Sequence, residues 1–252
     1  MHIRPGIELG NLTDVGCHRP ENEDYYCYAE PEDEQEFLHK GRLAVVADGM
    51  GGHEGGEMAS RIAVECVRDA YLAYPDGDPR ENLIAAFHQA HSAIQQYARE
   101  HPELEGMGTT CTCAVLKNNQ LYYGHIGDSR LYLIRNPAIS LVTEDHSYVQ
   151  RLVRQGMLTP EQAAVHPERN ILTAALGTQS AVAADFSQEP MPLAPGDVLL
   201  LCTDGLHGLV SDRELLYSAC TSPAGEACRE LVQTAKNRGG FDNITVQILR
   251  IL

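Results

Sequence analysis

Two pairs of helical patterns, set between runs of strand patterns, most constrain how this chain can fold. Apolar residues recur at helical spacing over residues 59–70 and again over 83–98. Two further helical patterns begin at a capping box opened by Ser211 and after Pro223, and the chain closes on a strand pattern. Because the helices cluster rather than alternate with strands, the order predicts one α+β domain over residues 1–252, with antiparallel sheets.

The charge balance argues against two classes of protein. The 252 residues carry 35 Asp and Glu against 19 Lys and Arg, a formal net charge of −16. A nucleic-acid binder or a polybasic membrane anchor needs clustered cations, so neither nucleic acid nor membrane is expected as a partner. Eight scattered cysteines without a CxxC pair, and no signal peptide or long apolar stretch, indicate a cytoplasmic protein.

Three connecting regions are interpreted from their composition. The acidic run at residues 30–36 is expected to be a solvated hairpin tip between two strands. The short strand patterns that follow Gly108, separated by polar turns, are typical of a meander. Residues 146–180 are polar and interrupted by glycine and proline, which predicts a poor core element and a mobile insertion.

Carboxylates lie in or beside turns at five places, each next to an apolar strand pattern. Three follow an apolar run and three lead into one, namely Asp48, Asp128 and Asp204, then Glu23, Asp24 and Asp242. A single Asp-Gly is usually just a turn, but coincidence across the whole set is much less expected. Strand ends can bring distant carboxylates together, and Mg²⁺ and Mn²⁺ prefer such oxygen ligands. The pattern therefore predicts a divalent metal site.

Other chemistries lack their sequence signatures. No cysteine has an arginine six residues after it, there is no Gly-x4-Gly-Lys loop, and Glu54 occupies the last glycine position of a G-x-G-x-x-G pattern. His88 and His91 lie one helical turn apart, and we expect His91 to pack and His88 to face solvent. Cys111 and Cys113 share a strand face and are expected in the core.

The ordered motifs resemble a known family. They read R-P-E-N-E-D, D-G-M-G-G-H-E-G-G, G-T-T, G-D-S-R, L-C-T-D-G-L and F-D-N-I-T-V, and they span residues 19 to 246. Together they are similar to the bacterial form of the metal-dependent PPM, or type 2C, Ser/Thr protein phosphatases. The resemblance implies a central antiparallel β-sandwich flanked by pairs of helices, in four α-β-β-α layers, with a flap at residues 146–180 beside the active site.

The resemblance also implies roles for individual residues. Two Mn²⁺ or Mg²⁺ ions would be bridged by Asp48, with one bound by the Gly49 carbonyl and the other by Asp204 and Asp242. Glu23 and Asp24 would act through metal-bound waters, and Asn243 would either orient Asp242 or cap its turn. Asp128, with Asp204, would hold a possible third ion. Arg19 would bind the substrate phosphate.

The implied reaction is hydrolysis of phosphoserine and phosphothreonine in proteins. A hydroxide bridging the metals would attack phosphorus without a covalent intermediate. Met50 stands where some members carry a histidine general acid, which leaves His53 or a metal-bound water as the proton source. The expected partners are phosphoprotein substrates of a bacterial Ser/Thr kinase, and the chain is expected to be a monomer. The rival hypothesis is a catalytically impaired scaffold or phospho-binding module.

Overall fold

The structure is a computed structural model, and it describes residues 3–52, 54–74, 77–178 and 181–252. Within these residues, the strands are β1 (Ile7–Asp14), β2 (Asp24–Ala29), β3 (Arg42–Met50), β4 (Gly108–Thr109), β5 (Cys111–Lys117), β6 (Gln120–Ile126), β7 (Arg130–Arg135), β8 (Ala138–Leu141), β9 (Asp185–Phe186), β10 (Met191–Pro192), β11 (Val198–Cys202) and β12 (Ile244–Ile251). The α-helices are α1 (Glu34–Lys40), α2 (Glu54–Ala73), α3 (Pro79–Glu100), α4 (Tyr148–Arg154), α5 (Pro160–Ala164), α6 (Asp204–His207), α7 (Asp212–Thr221) and α8 (Ala224–Asn237).

The strands form two antiparallel sheets. One, the β12 sheet, has the order β1-β12-β11-β7-β8. The other, the β3 sheet, has the order β10-β6-β5-β3-β2, with β9 paired to β6 and β4 paired to β3. Helices α2 and α3 pack on the β3 sheet, and α7 and α8 pack on the β12 sheet. The predicted four-layer α-β-β-α sandwich is therefore confirmed.

Alternation along the central strands explains why they are apolar on both faces. On β3, Val45 packs toward α2 and α3, whereas its neighbour Val46 packs between the sheets. On β11, Leu200 packs toward α7 and α8, whereas Leu201 packs between the sheets. Since both faces of each sheet are covered, consecutive side chains are buried and the strands are read as continuous apolar runs.

The second long helix begins and packs as its sequence indicates. The Asp78 side chain caps α3 by accepting a hydrogen bond from the Arg80 N–H, and Pro79 occupies the first turn. His91 is buried and His88 is exposed, as expected. Cys111 and Cys113 are also buried in the core between α2, α3 and the β3 sheet, as expected.

The predicted meander is wrong at its centre. Strands β5 and β6 are antiparallel neighbours, and so are β7 and β8, but β6 and β7 belong to different sheets. The chain crosses the sandwich between them at Gly127, whose φ of +104° favours glycine. Asp128 therefore lies at the crossing between the two sheets.

The acidic run is more than the hairpin tip that its composition predicts. Its later carboxylates, from Glu32 onward, are exposed, whereas the Glu30 side chain is buried and lies 3.2 Å from Arg42. Strand β2 pairs antiparallel with β3, but helix α1 begins inside the run. The Asp33 side chain accepts hydrogen bonds from the backbone N–H groups of Gln35 and Glu36. This N-cap orders a segment whose charge alone indicated only a solvated turn.

Residues 146–180 are partly built into the core, so the expectation of a poor core element is wrong there. Ala174, Ala175 and Leu176 are buried, and Leu176 exchanges two backbone hydrogen bonds with Thr109 at 2.9 and 3.1 Å. Ala174 and Leu176 belong to the hydrophobic core that α3 also enters. Short helices α4 and α5 form the more exposed part of this segment. No helix among the described residues is long and apolar enough to cross a membrane.

Candidate active site

The carboxylates picked out in the sequence meet at one end of the sandwich. There they surround a cleft of about 390 Å³. The predicted residues that line it are Arg19, Glu23, Asp48, Gly49, Asp128, Asp204, Asp242 and Asn243. Asp24 is buried beside them, opposite Asp48 in the register of β2 and β3. His53 lies outside the residues that the structure describes.

Two threonines fix the backbone of Asp48. The Asp48 N–H donates to Thr110 Oγ1 at 2.9 Å. The Asp48 carbonyl accepts from Thr109 Oγ1 at 2.8 Å and from the Thr110 N–H at 2.9 Å. Thr109 and Thr110 belong to the G-T-T motif, for which the sequence suggested no role. Two adjacent hydroxyl residues at the start of an apolar strand were the available signal.

Glycine at position 49 is required by a close approach of backbones. A Cβ there would lie 2.0 Å from the Gly56 carbonyl oxygen, at the start of α2. The Gly49 N–H donates to the Glu23 carbonyl at 3.1 Å. The end of β3 is therefore held between the first turn of α2 and the loop that carries Glu23.

Buried oxygens of Asp24 and Asp204 lack hydrogen-bond partners. Thr203 Oγ1 donates to Asp24 Oδ2 at 2.8 Å, but Asp24 Oδ1 and Asp204 Oδ1 receive no hydrogen bond within the described structure. Buried polar atoms are normally satisfied, and leaving one unsatisfied is costly. A divalent cation is a partner that suits such oxygens, so the donor set fits a hard metal ion.

Desolvation and mutual repulsion perturb the carboxyl groups of the cleft. Burial raises the pKa of Asp24 to about 7, assisted by the charges of Asp204 and Asp242. Burial also raises the pKa of Asp204 to about 6, with the Asp242 charge adding to it. The pKa values of Asp48 and Asp128 are raised well above their usual range by burial and by neighbouring aspartates. Full ionisation of this group is therefore unfavourable without compensating positive charge.

The carboxylates do not close around a single point. Among the residues that the structure describes, no three His, Cys, Asp or Glu side chains form a group that could hold a metal ion by themselves. An ion here would need further oxygens from water or backbone carbonyls, which Mg²⁺ commonly uses.

Asn243 joins the last motif to the loop that carries Glu23. Its Oδ1 accepts from the Glu23 N–H at 2.8 Å, and its Nδ2 donates to the carbonyls of Val15 and Glu21 at 3.0 and 2.9 Å. Its backbone N–H donates to Asp242 Oδ1 at 2.9 Å. The side chain thus fixes the neighbouring loop, while the backbone orients the carboxylate.

Arg19 stands at the mouth of the cleft. Its Nη2 donates to Asp242 Oδ2 at 2.7 Å, and its side chain is about half exposed (49%). The guanidinium group is therefore accessible to a ligand from solvent while an acidic neighbour holds it over the cleft.

His207 is a residue that sequence reasoning missed. It ends helix α6, which begins at Asp204, and its Nε2 donates to the Asp128 carbonyl at 2.9 Å. Burial lowers the pKa of His207 to about 4, so the neutral ring donates from Nε2. Because His207 lies on the helical turn that begins at Asp204, its hydrogen bond links that turn to the backbone of Asp128. A histidine three residues after Asp204 was the only signal.

The flap contributes neutral groups to the cleft, while Arg169 lines an adjoining pocket with Asp128 and Asp204. Asn170 and the segment from Leu172 to Ala175 line the cleft. Arg154 instead lies 3.6 Å from Glu144, and Arg151 stacks over the Tyr148 ring. Met50 also lines the cleft, and its thioether has no proton to donate.

Known proteins match the sequence and the fold of this chain over most of its length. A family model described as protein phosphatase 2C matches residues 32–235. Protein phosphatase PhpP of Streptococcus pneumoniae is 36% identical over 252 residues, covering 96% of this chain and 97% of PhpP. The serine/threonine protein phosphatase PstP of Mycobacterium tuberculosis is 38% identical over 211 residues, covering 84% of this chain and 40% of PstP.

Solved structures agree with the sequence comparisons. The crystal structure of M. tuberculosis PstP/Ppp has a TM-score of 0.87 at 35% identity and covers 98% of this chain and 99% of that chain. A PstP catalytic domain in complex with two manganese ions has a TM-score of 0.84 at 33% identity, with the same coverage. The shared fold and the sequence identity define a bacterial PPM phosphatase. This chain belongs to the protein phosphatase 2C family, and the resemblance of its motifs is confirmed.

Proposed function

We propose that this protein hydrolyses phosphoserine and phosphothreonine in other proteins, with the help of divalent metal ions. The observation that carries the proposal is the cleft itself. Asp24, Asp48, Asp128 and Asp204 meet there from separate strand ends, with Arg19 at the mouth. Relatives that share this fold over almost its full length are named serine/threonine phosphatases, which supports the same substrate class.

Carboxylate and carbonyl oxygens would hold two Mn²⁺ or Mg²⁺ ions and possibly a third. We assign Asp48, Gly49, Asp204 and Asp242 to the first two ions, and Asp128 with Asp204 to the third. Glu23 and Asp24 would act through bound waters. The unpartnered oxygens of Asp24 and Asp204 support this assignment, as does the two-manganese complex of the related PstP domain.

Residues of the chain would bind the phosphate and position the metal ligands. When bound, divalent ions would activate a water and neutralise charge on the phosphoryl oxygens. Arg19 would exchange Asp242 for the substrate phosphate, and the threonines at 109 and 110 would hold Asp48 in place. A water oxygen bonds to phosphorus while the bond from phosphorus to the Ser or Thr oxygen breaks, and that oxygen takes up a proton. Met50 cannot supply it, so His53 and a water are the two candidates.

We further propose that residues 1–252 act as one catalytic unit in the cytoplasm, on substrates of a Ser/Thr kinase. All eight cysteines are free thiols in the structure, and four of them are buried. Such scattered thiols fit a reducing compartment. The net charge of −16 supports partners other than nucleic acid.

Release of phosphate from a phosphothreonine peptide, with and without Mn²⁺, tests the proposal. We expect turnover with Mn²⁺, none after EDTA treatment, and at most residual activity in an Asp204→Asn variant. Peptide binding by well-folded protein without any turnover would instead favour the rival, a phospho-binding module. Metal-independent turnover would contradict the proposed site.

A further inference from the structure

An exposed aromatic pair lies at the mouth of the cleft, outside the machinery described above. The rings of His18 and Phe241 stand 5.2 Å apart between centroids, tilted by 31°. Phe241 is 61% exposed, which is unusual for so large an apolar side chain. Their chain neighbours are Arg19 and Asp242, which form the 2.7 Å ion pair over the cleft. The pair therefore adjoins the place where a phosphate would bind.

The Phe241 ring is held in position although it is not buried. A Cβ on Gly239 would lie 2.4 Å from Phe241 Cζ, so the ring packs directly against a backbone that has no side chain. Gly239 has a φ of +123°, which favours glycine at this position. Fixed by Gly239 on one side and by His18 on the other, the ring loses little further freedom when a ligand covers it.

The flap carries a second exposed apolar residue beside the cleft. Ile171 is 49% exposed and lies between Asn170 and Leu172, both of which line the cleft. Its carbonyl accepts from the Tyr148 N–H at 2.8 Å, which fixes its position in the flap. Val15, 36% exposed, lies close to the motif that carries Phe241, because its carbonyl accepts from Asn243 Nδ2 at 3.0 Å. Exposed apolar side chains thus adjoin residues of the polar cleft both in the flap and around the last motif.

We propose that Phe241, supported by His18, selects phosphopeptides with an apolar side chain next to the phosphorylated residue. This inference rests on the proposed phosphatase function and adds a substrate preference to it. The occupant is the flanking peptide residue, because a phosphorylated side chain reaching Arg19 would bring its chain neighbours to this rim. Burial of an apolar side chain against an ordered aromatic ring supplies the affinity.

Three phosphothreonine peptides test the preference. They are identical except that the positions on both sides of phosphothreonine carry Leu, Ser or Arg, and p-nitrophenyl phosphate serves as the substrate without flanks. We expect kcat/KM to be about tenfold higher for the Leu peptide than for the Ser peptide, mainly through KM. Equal values would overturn the inference. Preference for the Arg peptide would overturn the apolar assignment in favour of a cation over the ring.

Substitutions locate the preference on the ring. In Phe241→Ala, the ratio of kcat/KM for the Leu peptide to that for p-nitrophenyl phosphate should fall about tenfold, and Phe241→Tyr should restore it. Tyr217→Ala removes an aromatic side chain that is 70% exposed on α7 and does not line the cleft, and it should leave the ratio unchanged. If Phe241→Ala is folded by circular dichroism and keeps the full preference for the Leu peptide, the assignment is refuted. Lack of Mn²⁺-dependent hydrolysis of every substrate by the unaltered protein would instead contradict the proposed function itself.

Discussion

The floor and the rim of the cleft are built in different ways. The floor consists of Asp24, Asp48, Asp128 and Asp204, which stand at strand ends or at the sheet crossing and are desolvated. The rim consists of Arg19 and the His18–Phe241 pair, which lie on loops and are exposed, together with the partly exposed Asp242 (29%) that links the rim to the floor. Burial raises the pKa values of the four floor carboxyl groups. The carboxylates that concentrate negative charge are thus held rigidly by the sheets, whereas the groups that a substrate would meet first lie on exposed loops.

Removal of one floor carboxylate should have the largest effect. We expect Asp204→Asn to lower kcat with a phosphothreonine peptide by roughly 10³-fold or more, because several kcal/mol of charge stabilisation depend on the ions it would hold. The same variant should be more stable than the unaltered protein in EDTA at pH 7, since one repelling charge is lost. Steady-state kinetics and thermal unfolding measure the two effects. Loss of activity with reduced stability in EDTA would indicate simple misfolding.

The metal-free protein should lose stability as pH rises. The folded-state pKa values of Asp24 and Asp204 lie near 7 and 6, above the usual carboxyl value of 3.8. The folded state therefore binds more protons than the unfolded state between about pH 4 and 7, and stability falls across this window. We expect a loss on the order of a few kcal/mol in urea titrations with EDTA, reversed by Mn²⁺. Stability that rises with pH in EDTA would contradict the described floor.

A change at the rim should weaken substrate binding more than metal binding. Arg19→Ala should lower kcat/KM for a phosphopeptide by roughly 10- to 100-fold, because a charge-assisted contact to phosphate is lost. Arg19→Lys should recover only part of the loss, since lysine cannot bind two oxygens at once. Mn²⁺ affinity, measured separately by calorimetry, should change far less. A large loss of Mn²⁺ affinity in Arg19→Ala would instead show that the guanidinium group supports metal binding at the floor.

Removing a hydrogen bond that supports Asp48 should have the smallest effect of these four predictions. Thr110→Val removes the oxygen that accepts from the Asp48 N–H, and should lower stability by about 1–3 kcal/mol and Mn²⁺ affinity by roughly tenfold. Thr112→Val is a matched control two residues further along, in β5, because Thr112 bonds His125 and Ser129 instead of Asp48. The control should lose comparable stability but retain Mn²⁺ affinity. Equal losses of affinity would show that position 110 has no special role.

The sequence predicted the layers of the fold because burial on both faces leaves unmistakable apolar runs. Strands β3, β5, β11 and β12 were all visible in this way. The crossing after β6 was not visible, because two consecutive hairpins have the same local pattern whether or not they share a sheet. Helix α1 was hidden by its charge, although Asp33 followed by Glu36 has the spacing of a helix start.

The floor was more predictable than its supports. An aspartate after an apolar run marks a strand end, so the acidic residues of the cleft could be selected from the sequence. The hydrogen bonds from Thr109, Thr110 and His207 could not, because they join strands and helices whose pairing the sequence does not specify. For the same reason the sequence did not reveal that neutral residues of the flap line the cleft.

Isothermal titration of Mn²⁺ into the metal-free protein tests the proposed metal site. We expect the unaltered protein to bind at least two ions, and we expect Asp48→Asn, which alters the residue proposed to bridge them, to lose at least one. Both proteins should be compared at pH 7.5 and checked for intact fold by circular dichroism. Unchanged stoichiometry and affinity in a folded Asp48→Asn variant would contradict the account.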